Sequence, residues 1–284
     1  MQTVYQVSVV FVYSPSPIGC GEYTIWIGDL AGGHVQCSYM SVSPSVQERL
    51  DTARVLQLQY RPNDEIVAQL RTKTLAMVVA PSACGKSFLT ESVAARDTAF
   101  ARVVDFTTRP QRADDPPGEF QYFTHDDANV SAILDTIHRQ QVVQYMVHPT
   151  TGYLYWTEIR NYPATYNILE TISNVVTVLR TLPFERTCVI GVAAEQAQWQ
   201  QWFNARFPEG DGERLKRLQE AVTSLEWLTD ATHANLIHWV TNDPARDGTA
   251  TMIDIVKNGA RGDDGRDHAL TMLEWARGQL ASTL

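Results

Sequence analysis

Long apolar runs are missing from this sequence. No stretch approaches the ~18 apolar residues that a membrane-spanning helix needs, so no membrane association is expected. The start, Met1-Gln2-Thr3-Val4-Tyr5, has neither the basic opening nor the apolar core of a secretory leader. Cysteine is scarce: four residues, at 20, 37, 84 and 188, show no metal-type spacing and no dense framework. The even count leaves a disulfide open, but a reduced, cytoplasmic protein is the simpler expectation. Positive charge is also short, with 23 Lys and Arg against 32 Asp and Glu, a net −9. That balance argues against a broad basic face for nucleic acid or anionic membrane, although a local pair of arginines can still grip a small anion.

What is present describes an ordinary folded chain of 284 residues, 44% hydrophobic and 19% charged, with no internal repeat or low-complexity tract. Residues 1–70 read as a small β-rich module. Val4 to Tyr13, Tyr23 to Ile27 and His34 to Tyr39 have the Val, Tyr, Ile and Trp content of strands, and Ser43-Pro44-Ser45 opens a helix through Val55. Nothing in these residues names a role; they could cover a site, self-associate or dock a partner. Residues 71–258 change to alternating strands and helices, which predicts an α/β fold with a largely parallel sheet covered on both faces. The expected buried strands are Leu75 to Val79, Tyr166 to Leu169, Thr187 to Val192 and Leu236 to Val240. Helices are expected over Phe88 to Arg96, Ala128 to Arg139, Glu195 to Arg206 and Glu213 to Leu228. Residues 259–284 begin with a polar link, Gly259 to Gly265, expected to be flexible. Asp267 then caps a helix whose Leu270, Leu273, Ala276 and Leu280 share a face.

The first chemical signal is Ala80-Pro81-Ser82-Ala83-Cys84-Gly85-Lys86-Ser87, between an apolar strand and a helix. In the pattern G-x-x-x-x-G-K-[ST], backbone N–H groups of a tight loop and a helix N-terminus surround phosphate oxygens. The Lys adds a point charge and the hydroxyl reaches Mg²⁺. Gly85, Lys86 and Ser87 fit; Ala80 replaces the first Gly, where a methyl group opposes unusual torsions. Cys84 lies near a helix N-terminus that would favour its thiolate, although a small residue filling the loop is the plainer reading.

The second signal is Thr107-Thr108-Arg109-Pro110-Gln111-Arg112, two arginines whose planar forks suit a phosphate. Following a phosphate loop, this segment resembles the T-T-R-x-x-R with which guanylate kinases hold the acceptor's phosphate. The likeness continues through Asp115 to Phe123, through Gly152 to Thr157, through Ile168-Leu169-Glu170, and through Val240-Thr241-Asn242-Asp243, in order, over residues 72 to 257. It implies a P-loop nucleoside monophosphate kinase-type sheet and ATP-dependent phosphoryl transfer with Mg²⁺. Ser82, Ala83, Cys84, Gly85, Lys86, Ser87, Phe88 and Asn242 would then hold ATP, with Ser87 and Glu170 toward the metal. Thr107, Arg109, Arg112, Asp115, Tyr122, Gln144, Tyr155 and Thr157 would hold a nucleoside monophosphate. Lys86, Arg206 and Arg217 would carry catalysis, the arginines from a lid around Pro208 to Gly212.

The base-reading positions depart from the family. Gln144 replaces a carboxylate, the expected Tyr falls on Gln121 or Tyr122, Asp115 replaces a Glu, and Trp156 replaces a Gly and is expected to bring its ring near the acceptor. Phosphate-holding residues are kept while base-reading ones change, which suggests an acceptor other than GMP or weak activity on GMP; the expected acceptor is thus GMP or a related nucleoside monophosphate, or else another phosphorylated metabolite. The competing reading is a catalytically weak or inactive module of this type that binds a phosphorylated ligand or peptide. His125, His138, His148, His233 and His238 form no metal-ligand spacing and no catalytic role is expected of them, and the seven Trp residues read as packing.

Overall fold

The computed structural model describes residues 45–112, 115, 118–148 and 151–283, and the backbone of 7–14 and 22–29. Strands β1 (Val7–Ser14) and β2 (Glu22–Asp29) pair antiparallel, Val7 opposite Asp29. The third expected strand, His34 to Tyr39, lies outside the described residues, as do Cys20 and Cys37. Helix α1 (Val46–Leu56) starts at a capping box: the Glu48 N–H donates to Ser45 Oγ at 3.3 Å, and the Ser45 N–H donates back to the Glu48 carboxylate at 2.8 Å. Asn63 caps α2 (Asp64–Leu70) by accepting from the Ile66 N–H.

Strand β3 (Thr74–Val79) is buried along its whole length, as its continuous apolar run predicts. Parallel partners surround it in a five-stranded sheet of order β11-β10-β3-β9-β4, formed with β4 (Phe100–Arg102), β9 (Tyr166–Glu170), β10 (Arg186–Ala193) and β11 (Ile237–Thr241). Flanking it are α3 (Lys86–Arg96), α5 (Ser173–Leu179), α6 (Gln196–Arg206), α7 (Arg214–Thr229), α8 (Gly248–Asn258) and α9 (Gly265–Thr283). The fold is α/β, and the loop after β3 leaves the C-terminal end of its central strand. In open sheets of this kind that end is where ligands bind.

A second, mixed sheet has the order β6-β5-β8-β7, from β5 (Asp105–Thr107), β6 (Phe120–Tyr122), β7 (Gln144–Val147) and β8 (Leu154–Thr157). Alternation along these strands sorts its two faces. Phe106, Tyr145, Val147, Leu154 and Trp156 join a hydrophobic cluster with Leu50 and Ala53 of α1 and with Val130, Ile133, Leu134 and Ile137 of α4 (Asp127–His138). Asp105, Thr107, Gln144, Met146, Tyr155 and Thr157 belong to the opposite parity. This corrects the expectation for Trp156. It is 3% exposed and its ring packs 5.4 Å from Phe106 and 5.1 Å from Phe123, on the face opposite Gln144 and Tyr155.

The link before α9 is also not loose. Gly262 sits at φ +85°, where a Cβ would lie 2.1 Å from the Trp239 carbonyl oxygen. Asp263 accepts from the Thr241 N–H at 2.8 Å and from the Thr241 hydroxyl at 2.9 Å. A side chain at 262 is excluded by that approach, and the segment is stitched to β11. Helix α9 starts at Gly265, so Asp267 lies in its first turn rather than at the cap. Its buried face is Ala269, Met272, Leu273 and Ala276, rotated slightly from the expected one. Among the described residues, no helix is long and apolar enough to cross a membrane.

Candidate functional site

The loop between β3 and α3 has two residues in the left-handed region, Ala83 at φ +62° and Gly85 at φ +79°. Gly85 is required twice over, by its torsion and because a Cβ there would come within 2.0 Å of Asn242 Nδ2. That amide donates to the Cys84 carbonyl at 3.0 Å, and the fully buried Trp199 donates its indole N–H to the Ser82 carbonyl at 3.0 Å. Side chains from β10–α6 and the end of β11 therefore pin the loop from behind. The torsional anomaly expected at Ala80 falls at Ala83 instead, because Ala80 continues the buried strand. A non-glycine residue in this region costs roughly 1 kcal/mol. Ala83→Gly is accordingly expected to raise the unfolding free energy by about 1 kcal/mol in urea titration; an equal loss of stability would show that the torsion is unstrained.

Cys84 turns its thiol inward, 3.4 Å from the Val192 carbonyl, and burial pushes its pKa up to about 12 against the pull of Lys86. The helix N-terminus does not make it a thiolate; it fills the loop. Lys86, by contrast, has no ion-pair partner among the described residues and lines a cavity of about 1740 Å³. Ser87 donates to Glu170 Oε2 at 2.8 Å, Thr90 donates to Oε1 at 2.7 Å, and Arg102 lies 3.2 Å from the same carboxylate. A hydroxyl and a carboxylate side by side are hard oxygen donors of the kind that suit Mg²⁺.

The same cavity is lined by residues 80–88, Arg109, Arg112, Asp115, Gln144, Tyr155, Glu170, Arg206, Arg217 and Asn242. Three expected site residues are placed elsewhere. Thr107 and Thr157 are fully buried, their hydroxyls bonded to the Leu154 carbonyl and the Tyr162 hydroxyl. Tyr122 donates to Asp115 at 2.8 Å, behind the lining. Asp115 holds Arg109 through both guanidinium nitrogens, at 2.9 and 3.0 Å, with the ring of Phe120 below the guanidinium at 5.2 Å. Burial alone would raise the Asp115 pKa; hydrogen bonds from Arg109, the Arg112 N–H and Tyr122 outweigh it and hold the value at about 2. Asp115 thus orients one arginine of the pair, and the exposed Arg112 guanidinium is left without an ion pair among the described residues. Also on the lining, Arg217 lies between Glu213 and Glu220 and Arg206 over the ring of Phe207.

Two acidic residues on the lining had no part in the sequence reading, Asp105 and Glu119. The Oδ1 of Asp105 is buried without a hydrogen-bond partner among the described residues. Desolvation, with the Glu119 charge adding to it, raises the Asp105 pKa to about 7. Burial likewise raises Glu119, which feels Glu170 on one side and Lys86 on the other. The alternation Asp105-x-Thr107-x-Arg109 was the available signal, since it puts the first residue on the arginine's side of the strand.

No family model matches the chain, and no curated protein does. Among solved structures, a guanylate kinase from Anaplasma phagocytophilum is similar at 13% identity over 74% of this chain and 98% of that one, with a TM-score of 0.42. The YGR205w protein is similar at 14% identity over 70% of this chain and 95% of that one, with a TM-score of 0.28. Likenesses this weak carry no argument about the chain's activity, which has to come from the loop and the cavity it faces.

Proposed function

We propose that this chain is an ATP-dependent phosphotransferase of the nucleoside monophosphate kinase type. The observation that carries the reading is that two elements suited to anions line one cavity: the β3–α3 loop with Lys86 and Ser87, and the Arg109–Arg112 segment. The loop's backbone N–H groups and Lys86 bind the triphosphate. Arg112, with Arg109 set in place by Asp115, binds the acceptor's phosphate. The γ-phosphorus–oxygen bond to the departing ADP breaks as a bond forms to an acceptor phosphate oxygen. Such a transfer depends on position and charge rather than on a protein nucleophile. Arg206 and Arg217 border the space where charge spreads over the equatorial oxygens. Ser87 and Glu170 would hold Mg²⁺, which supplies charge neutralisation on the phosphates when bound.

The test is ADP formation from Mg²⁺-ATP with a panel of ribo- and deoxyribonucleoside monophosphates, alongside calorimetry with Mg²⁺-ATP alone. Acceptor-dependent ADP supports the kinase. No detectable Mg²⁺-ATP binding overturns it and leaves a module that binds phosphorylated ligands through the arginines.

A further inference from the structure

The four-stranded sheet is tied to the five-stranded one in ways that are not equivalent. Two ties are covalent and adjacent. Strand β4 passes to β5 through residues 103 and 104, and β8 passes to β9 through residues 158–165. Because β5 and β8 are neighbours in the order β6-β5-β8-β7, these crossings alone leave the sheet free to rock about the line they define.

A further tie is made by the chain ahead of β3. Helix α1 lies on the four-stranded sheet, with Leu50 and Ala53 in its cluster and Arg49 donating to Ser131 Oγ at 2.6 Å. Helix α2 belongs to the other body. Ile66 and Leu70 are in the core of the five-stranded sheet, and the Leu70 carbonyl accepts from the Glu185 N–H at 3.3 Å. The chain then enters β3, which leads to the phosphate loop.

Between the two helices the chain grips β7, an edge strand. The Val147 N–H donates to Gln57 Oε1 at 2.9 Å. Tyr60 donates its hydroxyl to the Val142 carbonyl at 2.8 Å, and its ring meets Tyr145 edge-on at 5.0 Å. The Asn63 N–H donates at 2.9 Å to the carbonyl of Gln140, a non-glycine residue held at φ +57° just before β7. Strand β7 lies about 5 Å to the side of β8, so a tie there resists the rocking that the covalent crossings permit. Arg109 and Tyr155 ride on that sheet, whereas Lys86 follows β3.

We propose that Gln57 and Tyr60 are positioning residues. Through β7 they hold the arginine side of the cavity at its working distance from the phosphate loop, and neither lines the cavity itself. The kinetic consequence rests on the kinase reading above; the mechanical one does not. If the untied sheet spends about a tenth of its time in the competent position, apparent acceptor affinity falls roughly tenfold. Saturating acceptor restores the position, so kcat holds. Mg²⁺-ATP affinity also holds, because Trp199 and Asn242 pin the loop independently.

The experiment compares full-length wild type with the double variant Gln57→Ala, Tyr60→Phe and with Gln57→Glu, which keeps an oxygen to accept from Val147. Kinetics use the monophosphate that gives the most ADP in the panel above. The double variant is expected to raise its KM roughly tenfold, with kcat and Mg²⁺-ATP affinity within about twofold of wild type. Gln57→Glu should match wild type. In parallel, spin labels at Ala132→Cys on α4 and Ala250→Cys on α8, both exposed positions, report the distance between the sheets. Cys20 and Cys37 are replaced by Ser in that background, Cys84 and Cys188 being buried. The distance distribution should broaden roughly twofold in the double variant. If that variant does not fold, Tyr60→Phe alone, which keeps the ring, should raise KM about threefold. An unchanged distance distribution, or kcat and Mg²⁺-ATP affinity falling in step with KM, would overturn the proposal. Absence of Mg²⁺-ATP binding in wild type would remove the kinase reading, and the label distances would still decide whether the tie exists.

Discussion

Lys86→Ala is expected to lower phosphoryl transfer by roughly a thousandfold, about 4 kcal/mol of lost stabilisation, and to weaken Mg²⁺-ATP binding. The magnitude follows from where the ammonium sits. It lines the cavity next to the loop's backbone donors and has no ion-pair partner among the described residues, so its charge is uncommitted until phosphate arrives. Charge on a transferring phosphoryl group is what this chemistry has to stabilise, and a fixed cation in a partly enclosed cleft does so more effectively than water. The same isolation predicts that stability is nearly unaffected, within about 0.5 kcal/mol. The measurement is kcat and KM for ATP at saturating acceptor, with urea unfolding of wild type and variant as control. An active Lys86→Ala with unchanged KM would remove the loop from the mechanism.

Asp105→Asn is expected to stabilise the ligand-free protein, and to do so more as pH rises. The native pKa is raised from 3.8 to about 7 by desolvation and by Glu119, so between those values the folded chain holds a proton that the unfolded chain has released. Folding stability therefore falls as pH climbs through that window, and the full penalty is present above pH 7. An amide mimics the protonated acid and removes the penalty. At 1.36 kcal/mol per unit, a shift of this size corresponds to roughly 4 kcal/mol well above pH 7. The groups sensed by Asp105 besides Glu119 are Tyr162, bonded to Thr157, and, through Glu119, Lys86, Arg102 and Glu170. None of them places a cation directly on Asp105. Urea midpoints of both proteins at pH 5 and pH 8 decide the matter: the variant's advantage should be roughly two-fifths as large at pH 5. A variant less stable at both values would mean that Asp105 has a partner it needs.

The α/β core was legible because buried parallel strands announce themselves as continuous apolar runs. Leu75 to Val79 became β3, and the strands beginning near Tyr166, Arg186 and Ile237 fell within a residue or two of their expected limits. The strand–loop–helix setting of Gly85-Lys86-Ser87 was legible for the same reason, with β3 before it and α3 after it. Matching by motif position failed where face parity decides the outcome. Trp156 was assigned by its place in a pattern, yet Leu154 and Trp156 share one side of β8 and Tyr155 and Thr157 the other. Asp105 was missed because a strand's first residue carries no motif, and only pairing with β8 puts it in a row with Gln144. Gly259 to Gly265 looks like a linker from composition alone. That Gly262 is there to let the backbone pass Trp239 is a tertiary fact, invisible before β11 has a position.

The contact of Trp199 with the Ser82 carbonyl has a consequence for the order in which the protein takes shape. The indole of Trp199 packs 5.2 Å from that of Trp275 on α9, so the phosphate loop is braced by residues synthesised long after it. A ribosome-bound chain ending before residue 275 carries the whole Gly85-Lys86-Ser87 signature but lacks the outer part of this brace. The final shape of this loop should thus be secured late in translation, after Gly85-Lys86-Ser87 has already emerged.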